Sequence, residues 1–190
     1  MFQITTERPE DGAAIELLLD QAFGANRESK TSYRYRDSVK PVGDLKLVAR
    51  STAPAARLLG TLRFWPIEID GRTLGLGNQD ALLLGPLAVA PDQQKHGIGG
   101  ALMREGLDMA AWARHRIVLL VGDLGYYHRF GFAPALPHGI FMPAERQERL
   151  LVRGLAPGAL DGVGGEVQPW RSVRGAARHI ASGQPEIRAA

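Results

Sequence analysis

The run Pro91-Asp92-Gln93-Gln94-Lys95-His96-Gly97-Ile98-Gly99-Gly100-Ala101 places glycines where a helix is about to begin. Glycine lets the backbone approach an anion closely, and the first N–H groups of a helix are free donors carrying a partial positive charge. The combination suits a pyrophosphate. Spacing separates the common phosphate-binding patterns. A Walker loop ends in Gly-Lys-Ser/Thr, which is absent here. A Rossmann fingerprint would need glycine or alanine where this chain has Leu102, and its glycines would directly follow a strand. Instead, residues 90–96 lie between Val89 and Gly97. The pattern that fits is Gln/Arg-x-x-Gly-x-Gly/Ala, met by Gln94, Gly97 and Gly99.

A second segment with chemical potential is Tyr126-Tyr127-His128-Arg129-Phe130-Gly131-Phe132. A phenol can donate a proton, and Tyr127 stands four residues before Gly131. His128 could act as a base by residue type, but a solvent-facing histidine is the simpler expectation. Glu68 and Asp80 are acids near the inner strands that could accept a proton directly or through water. Each is equally a strand-end or turn residue, so no base is assigned. The chain has no cysteine, which excludes disulfides, thiolate metal sites and a cysteine nucleophile. It has no histidine pair at ligand spacing and no G-x-S-x-G elbow, so no metal site is expected and metalloenzyme and serine-hydrolase chemistry lack support.

A glycine loop of this kind needs a strand before it and a helix after it, and both are legible. Ala81–Val89 is a nearly continuous apolar run, as expected of a central strand buried on both faces. Gly85-Pro86 interrupts it, and because proline cannot donate to the ladder the pair argues for a bulge or an opening halfway along. From Ile98 to Arg114 the wheel puts Ile98, Leu102, Met103, Gly106, Leu107, Met109, Ala110 and Ala113 on one side. Ile117–Val121 is the next buried strand, which makes a strand–helix–strand unit.

Upstream, Phe2–Thr5 reads as a strand. Pro9-Glu10-Asp11 then opens a helix that carries Ile15, Leu18, Leu19, Ala22 and Phe23 and stops at Gly24. Leu45–Arg50 and Leu58–Ile69 read as two antiparallel strands joined through Ser51-Thr52-Ala53-Pro54, with Asp70-Gly71 as the next turn. Residues 25–44 are polar and mixed in charge and offer no clean buried face. They are expected to form a second helix or a mobile loop. Leu150–Val152 and Glu166-Val167 complete the sheet.

From Leu87-Ala88-Val89-Ala90-Pro91 through Gln94, Gly97 and Gly99 to Gly122-Asp123 and Tyr126–Phe132, the sequence resembles the GNAT superfamily of N-acetyltransferases. Within it, the likeness is to small bacterial members with Leu-Gly-Pro-Leu-Ala-Val in the central strand. The resemblance extends to about residue 170. It implies an α/β fold with a mixed, mostly antiparallel sheet, a splayed parallel pair of central strands and flanking helices. One domain over 1–170 and a C-terminal extension over 171–190 are expected.

The resemblance also implies acetyl-CoA as cosubstrate. Leu87, Ala88 and Val89 would take the pantetheine and acetyl group, and Gln94, Lys95, His96, Gly97, Ile98, Gly99 and Gly100 the pyrophosphate. Tyr127 would protonate the departing thiolate, with Tyr126 as its packing partner. Asp123 departs from the asparagine common near this place, and capping the next short helix is its alternative role. The implied reaction is direct transfer to an amine of a small molecule or a protein. The acceptor itself is not readable, because the family builds that side of the cleft from its variable first loop, here near residues 27–40, and from C-terminal strands. A homodimer is one open assembly state.

Composition leaves that reading standing. With 190 residues, 45% hydrophobic and 23% charged, the chain can bury one sizeable core. The N-terminus lacks a basic and then apolar leader, and no stretch reaches the roughly 18 apolar residues of a membrane span. No membrane partner is expected and the cytoplasm is the default compartment. The formal charge of +3 is not gathered into a basic face or reading motif, so no nucleic-acid partner is expected. A rival reading from another class is a non-catalytic acyl-CoA-binding regulatory module, which would have no need of a phenol at Tyr127.

Overall fold

Side chains alternate across the central strand, and two apolar layers follow from it. The computed structural model describes residues 1–37, 39–53 and 57–171; the expected C-terminal extension, from residue 172 on, lies outside them. Strand β4 (Gln79–Val89) turns Leu82 and Leu84 toward one layer and Ala81 and Leu83 toward the other, as a strand of period two must when both faces are covered.

The order along the chain is β1 (Phe2–Thr6), α1 (Gly12–Phe23), β2 (Lys46–Ser51), β3 (Leu58–Asp70), β4, α2 (Ile98–Trp112), β5 (Ile117–Val121), α3 (Leu124–Tyr127), β6 (Ala133–Pro134), β7 (Ile140–Phe141), β8 (Leu150–Gly154) and β9 (Gly165–Pro169). One mixed sheet runs β1-β2-β3-β4-β5-β8-β6, with β9 added beside the far end of β3 and β7 beside β9. β4–β5 and β7–β9 are parallel, and the other pairs are antiparallel. This is the mixed α/β architecture expected from the sequence.

Helix α2 covers one face through Leu102, Met103, Leu107 and Ala110, packed on Leu62, Phe64, Leu82 and Val118. Each fully buried side chain of this size contributes about 1.5–3 kcal/mol. Gly106 lets the helix sit directly on β3: a Cβ there would lie 2.8 Å from Phe64 Cε2 and 2.9 Å from Leu62 Cδ2. The helix stops two residues earlier than expected. Ala113 follows its end and is exposed, because Arg114 turns into the left-handed region at φ 66°. Helix α1 covers the β1–β4 half through Ile15, Leu18 and Leu19, against Val48, Ala88 and Ala90.

Residues 25–44 form neither a second α-helix nor a stretch without a buried face. They make two 3-10 turns, Ala25–Ser29 and Thr31–Tyr35, in which Arg27 and Tyr35 are buried. Tyr35 enters the layer of Ile67, Ile69 and Leu83. Among the described residues, no helix is long and apolar enough to cross a membrane.

Candidate active site

β4 keeps company with β5 only briefly. The parallel ladder registers Leu82 with Val118 and Leu83 with Leu119 and goes no further, while β4 stays paired with β3 as far as Val89 opposite Gly60. From Leu84 onward the two strands part, and their facing edges carry no ladder partner. Gly85 stands at the fork with φ +130°, a conformation that side chains disfavour. Opposite it, the β3 register shifts between Leu62 and Phe64. The interruption expected from Gly85-Pro86 is therefore an opening. Buried backbone groups are almost always paired, so this edge suits an extended ligand with amide groups of its own. The cleft measures about 1080 Å³.

At the far end of the open edge, the chain turns through Pro91–Gln93 and enters the glycine loop. Lys95 and Gly97 take left-handed conformations, φ 67° and 80°, and Gly97 caps α2. The first intrahelical bond runs from Ala101 N–H to Gly97 O, 2.9 Å. The N–H groups of Ile98, Gly99 and Gly100 are therefore the free donors of the helix start. A Cβ on Gly99 would lie 3.1 Å from the Tyr126 hydroxyl and 3.5 Å from Val89 Cγ2. The loop thus fits an anion held by backbone N–H groups, with Lys95 and Arg129 adding positive charge along the cleft wall.

Helix α3 hangs from β5 into the fork. Asp123 caps it, its Oδ1 accepting from Gly125 N–H at 3.2 Å. Tyr126 and Tyr127 meet edge to face with centroids 4.9 Å apart, and both line the cleft. Tyr126 is thus more than a packing partner, since its hydroxyl reaches the glycine loop and Arg129 lies 4.2 Å above its ring. Tyr127 packs on Gly122 and Phe132. Burial raises its phenol to about 12, with a smaller push from Tyr126 and an opposing pull from Arg149. Tyr127 is therefore a protonated donor at neutral pH. His128 is exposed.

The opposite wall is built by the 3-10 turns. Arg27 donates to Asp20 Oδ1 (2.8 Å) and Glu16 Oε2 (2.5 Å) of α1 and to the Tyr33 hydroxyl (3.1 Å). Tyr33 in turn offers its ring to Arg36, 4.5 Å from the centroid. Trp65 supports Arg36 from β3 at 5.8 Å and donates its indole N–H to Gly85 O at 2.7 Å. Burial lowers the Arg36 guanidinium to about 10, partly offset by Tyr33, which leaves it cationic at neutral pH. Bonds from Thr31 Oγ1 to Ala144 O (3.1 Å) and from Arg34 Nη2 to Pro143 O (3.2 Å) tie the turns to the segment carrying Glu145.

Of the residues expected from sequence, Leu87, Val89, Gln94, Lys95, Gly97, Ile98, Gly99, Gly100 and Tyr127 line this one cleft. Ala88 and His96 do not. Alternation turns the Ala88 side chain toward α1, and His96 is exposed. Glu68 and Asp80 face each other across β3 and β4. Asp80 lies five residues before Gly85, about 16 Å along the strand, and neither acid reaches the cleft. Glu145 and Arg149 line it without having been expected, and Arg36 does so from the segment of residues 27–40 expected on the acceptor side. Among the described residues, no group of three or more His, Cys, Asp or Glu is placed to hold a metal ion.

Comparison with known proteins gives concordant matches. Residues 47–134 match the family model described as acetyltransferase (GNAT) domain. The chain is 30% identical over 166 residues to the Escherichia coli K12 protein named uncharacterized N-acetyltransferase YhbS, covering 87% of this chain and 94% of that one. It is 31% identical over 136 residues to the protein named uncharacterized N-acetyltransferase YjhQ of the same organism, at 70% and 69% coverage. Among solved structures, E. coli YhbS in complex with CoA superposes with a TM-score of 0.75 at 29% identity over 89% of each chain. A GNAT family acetyltransferase from Brucella melitensis in complex with acetyl-CoA gives 0.66 at 29% identity, covering 90% of this chain and 97% of that one.

Proposed function

The chain belongs to the GNAT acetyltransferase family, and from that premise we propose that it moves an acetyl group from acetyl-CoA to an amine by direct transfer, in the cytoplasm. The observation that carries this reading is the continuity of the open β4 edge with the glycine loop. An extended arm and a pyrophosphate need those two surfaces in that order. The donor supplies an activated acetyl thioester. The N–H groups of residues 98–100 and the Lys95 side chain would hold its pyrophosphate, and the free edge of Leu87–Val89 would hold its amide-bearing arm.

The chain's own part in the reaction is orientation and proton handling. The strand edge beyond Gly85 offers N–H groups to polarise a carbonyl, as preorganised donors do where negative charge develops. Tyr127, kept protonated by burial, is the donor for a departing thiolate. The acceptor amine must lose a proton before or as it attacks. Asp123 and Glu145 are carboxylates of the cleft wall, and each accepts one backbone N–H, Asp123 from Gly125 at 3.2 Å and Glu145 from Arg146 at 3.0 Å. Glu145, on the wall opposite Tyr127, is the group we propose to receive that proton, directly or through water.

Calorimetric titration with acetyl-CoA, followed by thiol release with a panel of amines, tests the proposal. Binding without thiol release from any amine would reduce the protein to an acyl-CoA-binding module.

A further inference from the structure

Buried cations in proteins are nearly always matched by a carboxylate or fully hydrogen-bonded. Arg36 is neither. Its Nε and Nη1 atoms are buried and have no hydrogen-bond partner among the described residues, and no described carboxylate lies within ion-pair distance of it. The carboxylates beside the neighbouring guanidiniums of Arg27 and Arg63 are engaged there. Glu16 and Asp20 pair with Arg27, and Glu7 pairs with Arg63. Arg129 and Arg149 also line the cleft, but they are exposed and solvated.

The contacts that Arg36 does make, with Tyr33 and Trp65, leave its Nε and Nη1 without a partner. Tyr33 and Trp65 are cation–π partners, an interaction made through the ring faces that leaves N–H groups along the guanidinium edge free. Tyr33 is fixed by Arg27, and Trp65 by Gly85 O. Nη2 lies 3.2 Å from where a Cβ on Gly85 would stand, so the group sits at the fork of the strands. Gly85 to Val89 spans about 13 Å of strand, and the glycine loop begins only beyond that. Arg36 therefore faces the acyl end of the cleft and is too far away to serve a pyrophosphate on residues 94–100.

On the reading that this cleft acetylates amines, we propose that the acceptor is a small amine bearing a carboxylate, of the amino-acid type, and that Arg36 binds that carboxylate. A planar guanidinium with free edge donors matches a carboxylate in bidentate fashion. Glu145 lines the same cleft with the opposite charge, which suits the ammonium end of such a molecule. Opposite charges on one wall, not paired with each other, complement a zwitterion.

The test compares amines that differ only in the carboxylate. Initial rates of CoA release are measured for α-amino acids and ω-amino acids against their amides and their decarboxylated counterparts. The expected result is a kcat/KM about 10- to 100-fold higher for the acid of at least one pair, the worth of a hydrogen-bonded charge. In Arg36→Met that preference disappears through KM, acetyl-CoA affinity is kept, and Arg36→Lys retains part of the preference. Equal rates within every active pair, or preference for the uncharged member, would overturn the proposal.

If no amine releases CoA, the acetyl-transfer reading fails by itself and binding decides the Arg36 assignment. The CoA-saturated protein is then titrated calorimetrically with N-acetylalanine and with its methylamide. Saturable heat from the acid alone supports the site. No saturable heat from the acid overturns it. Both wild-type comparisons remain decisive should the Arg36 variants fold poorly.

Discussion

Tyr127 lies against the Cα of Gly122 so closely that a methyl group on Gly122 would stand 2.2 Å from Tyr127 Cε2. The backbone of the residue after β5 is thus the seat of the phenol ring. Gly122→Ala is expected to displace the ring, and turnover should fall by about tenfold or more with the fold retained. Steady-state kinetics alongside circular dichroism checks this; unchanged turnover in a folded variant would detach the ring position from function.

Removing the phenol directly is the complementary change. General acid catalysis is typically worth about 100- to 10,000-fold, so Tyr127→Phe should lower kcat within that range and leave acetyl-CoA affinity nearly unchanged. A drop of less than about threefold, with transfer rate-limiting, would assign the hydroxyl to packing.

The phenol of Tyr127 is raised to about 12 chiefly by burial, above the usual value of about 10. The unfolded chain therefore loses this proton first as pH rises. Its contribution to stability is intact below about pH 10 and is lost between about pH 10 and 12. Ultraviolet titration of wild type minus Tyr127→Phe should show one phenol ionising near the top of that window. One ionising near 10 would contradict the burial.

Gly99→Asp would bring bulk toward the Tyr126 hydroxyl, where even a Cβ lies at 3.1 Å, and a negative charge beside the free N–H groups of α2. CoA affinity should fall at least about 100-fold in calorimetry. A folded variant with undiminished affinity would put the pyrophosphate elsewhere.

Asp11 is a stability site far from the chemistry. Burial by itself would raise its carboxyl pKa, but bonds from Arg50 and from the Arg8 N–H (2.7 Å) outweigh that and hold it below the usual carboxylate value. Its stabilisation is thus present above about pH 4 and is lost as pH falls further. Asp11→Asn, which leaves the partly buried Arg50 without a counter-charge, should cost about 1.5–3 kcal/mol at neutral pH. In urea unfolding the gap from wild type should narrow toward pH 3.

The donor side of the cleft was legible because its signals are local. Gln94, Gly97 and Gly99 sit within one turn of chain, and Leu82–Val89 and Ile98–Ala110 carry their periodicities openly. Tyr126 was harder to place. Neighbours on a helix point about 100° apart, but α3 is a single turn hung in a fork, so both of its aromatic faces meet the cleft. The acceptor side was legible only as a segment, residues 27–40, and not residue by residue. The turns around Arg27 and Arg36 have no repeating pattern, and Tyr35 is buried as an isolated side chain. Arg36 and Glu145 come together only through bonds such as Thr31 to Ala144, which span more than a hundred residues of sequence.

The parted strands give the protein a sheet edge that only Pro86, at its mouth, blunts in one of the usual ways. Exposed edges invite strand addition and are commonly guarded by charge, proline or a bulge. The open stretch beyond Pro86 is Leu87-Ala88-Val89, with no charged residue to deter pairing. Its protection is concealment: the edge faces inward, under α3 and the glycine loop. A slender molecule with amide groups can lie there as a surrogate strand, whereas a second polypeptide would have to force the fork apart. Filling that place should then act as a folding chaperone in miniature, raising the melting temperature with ligand concentration and suppressing self-association on heating.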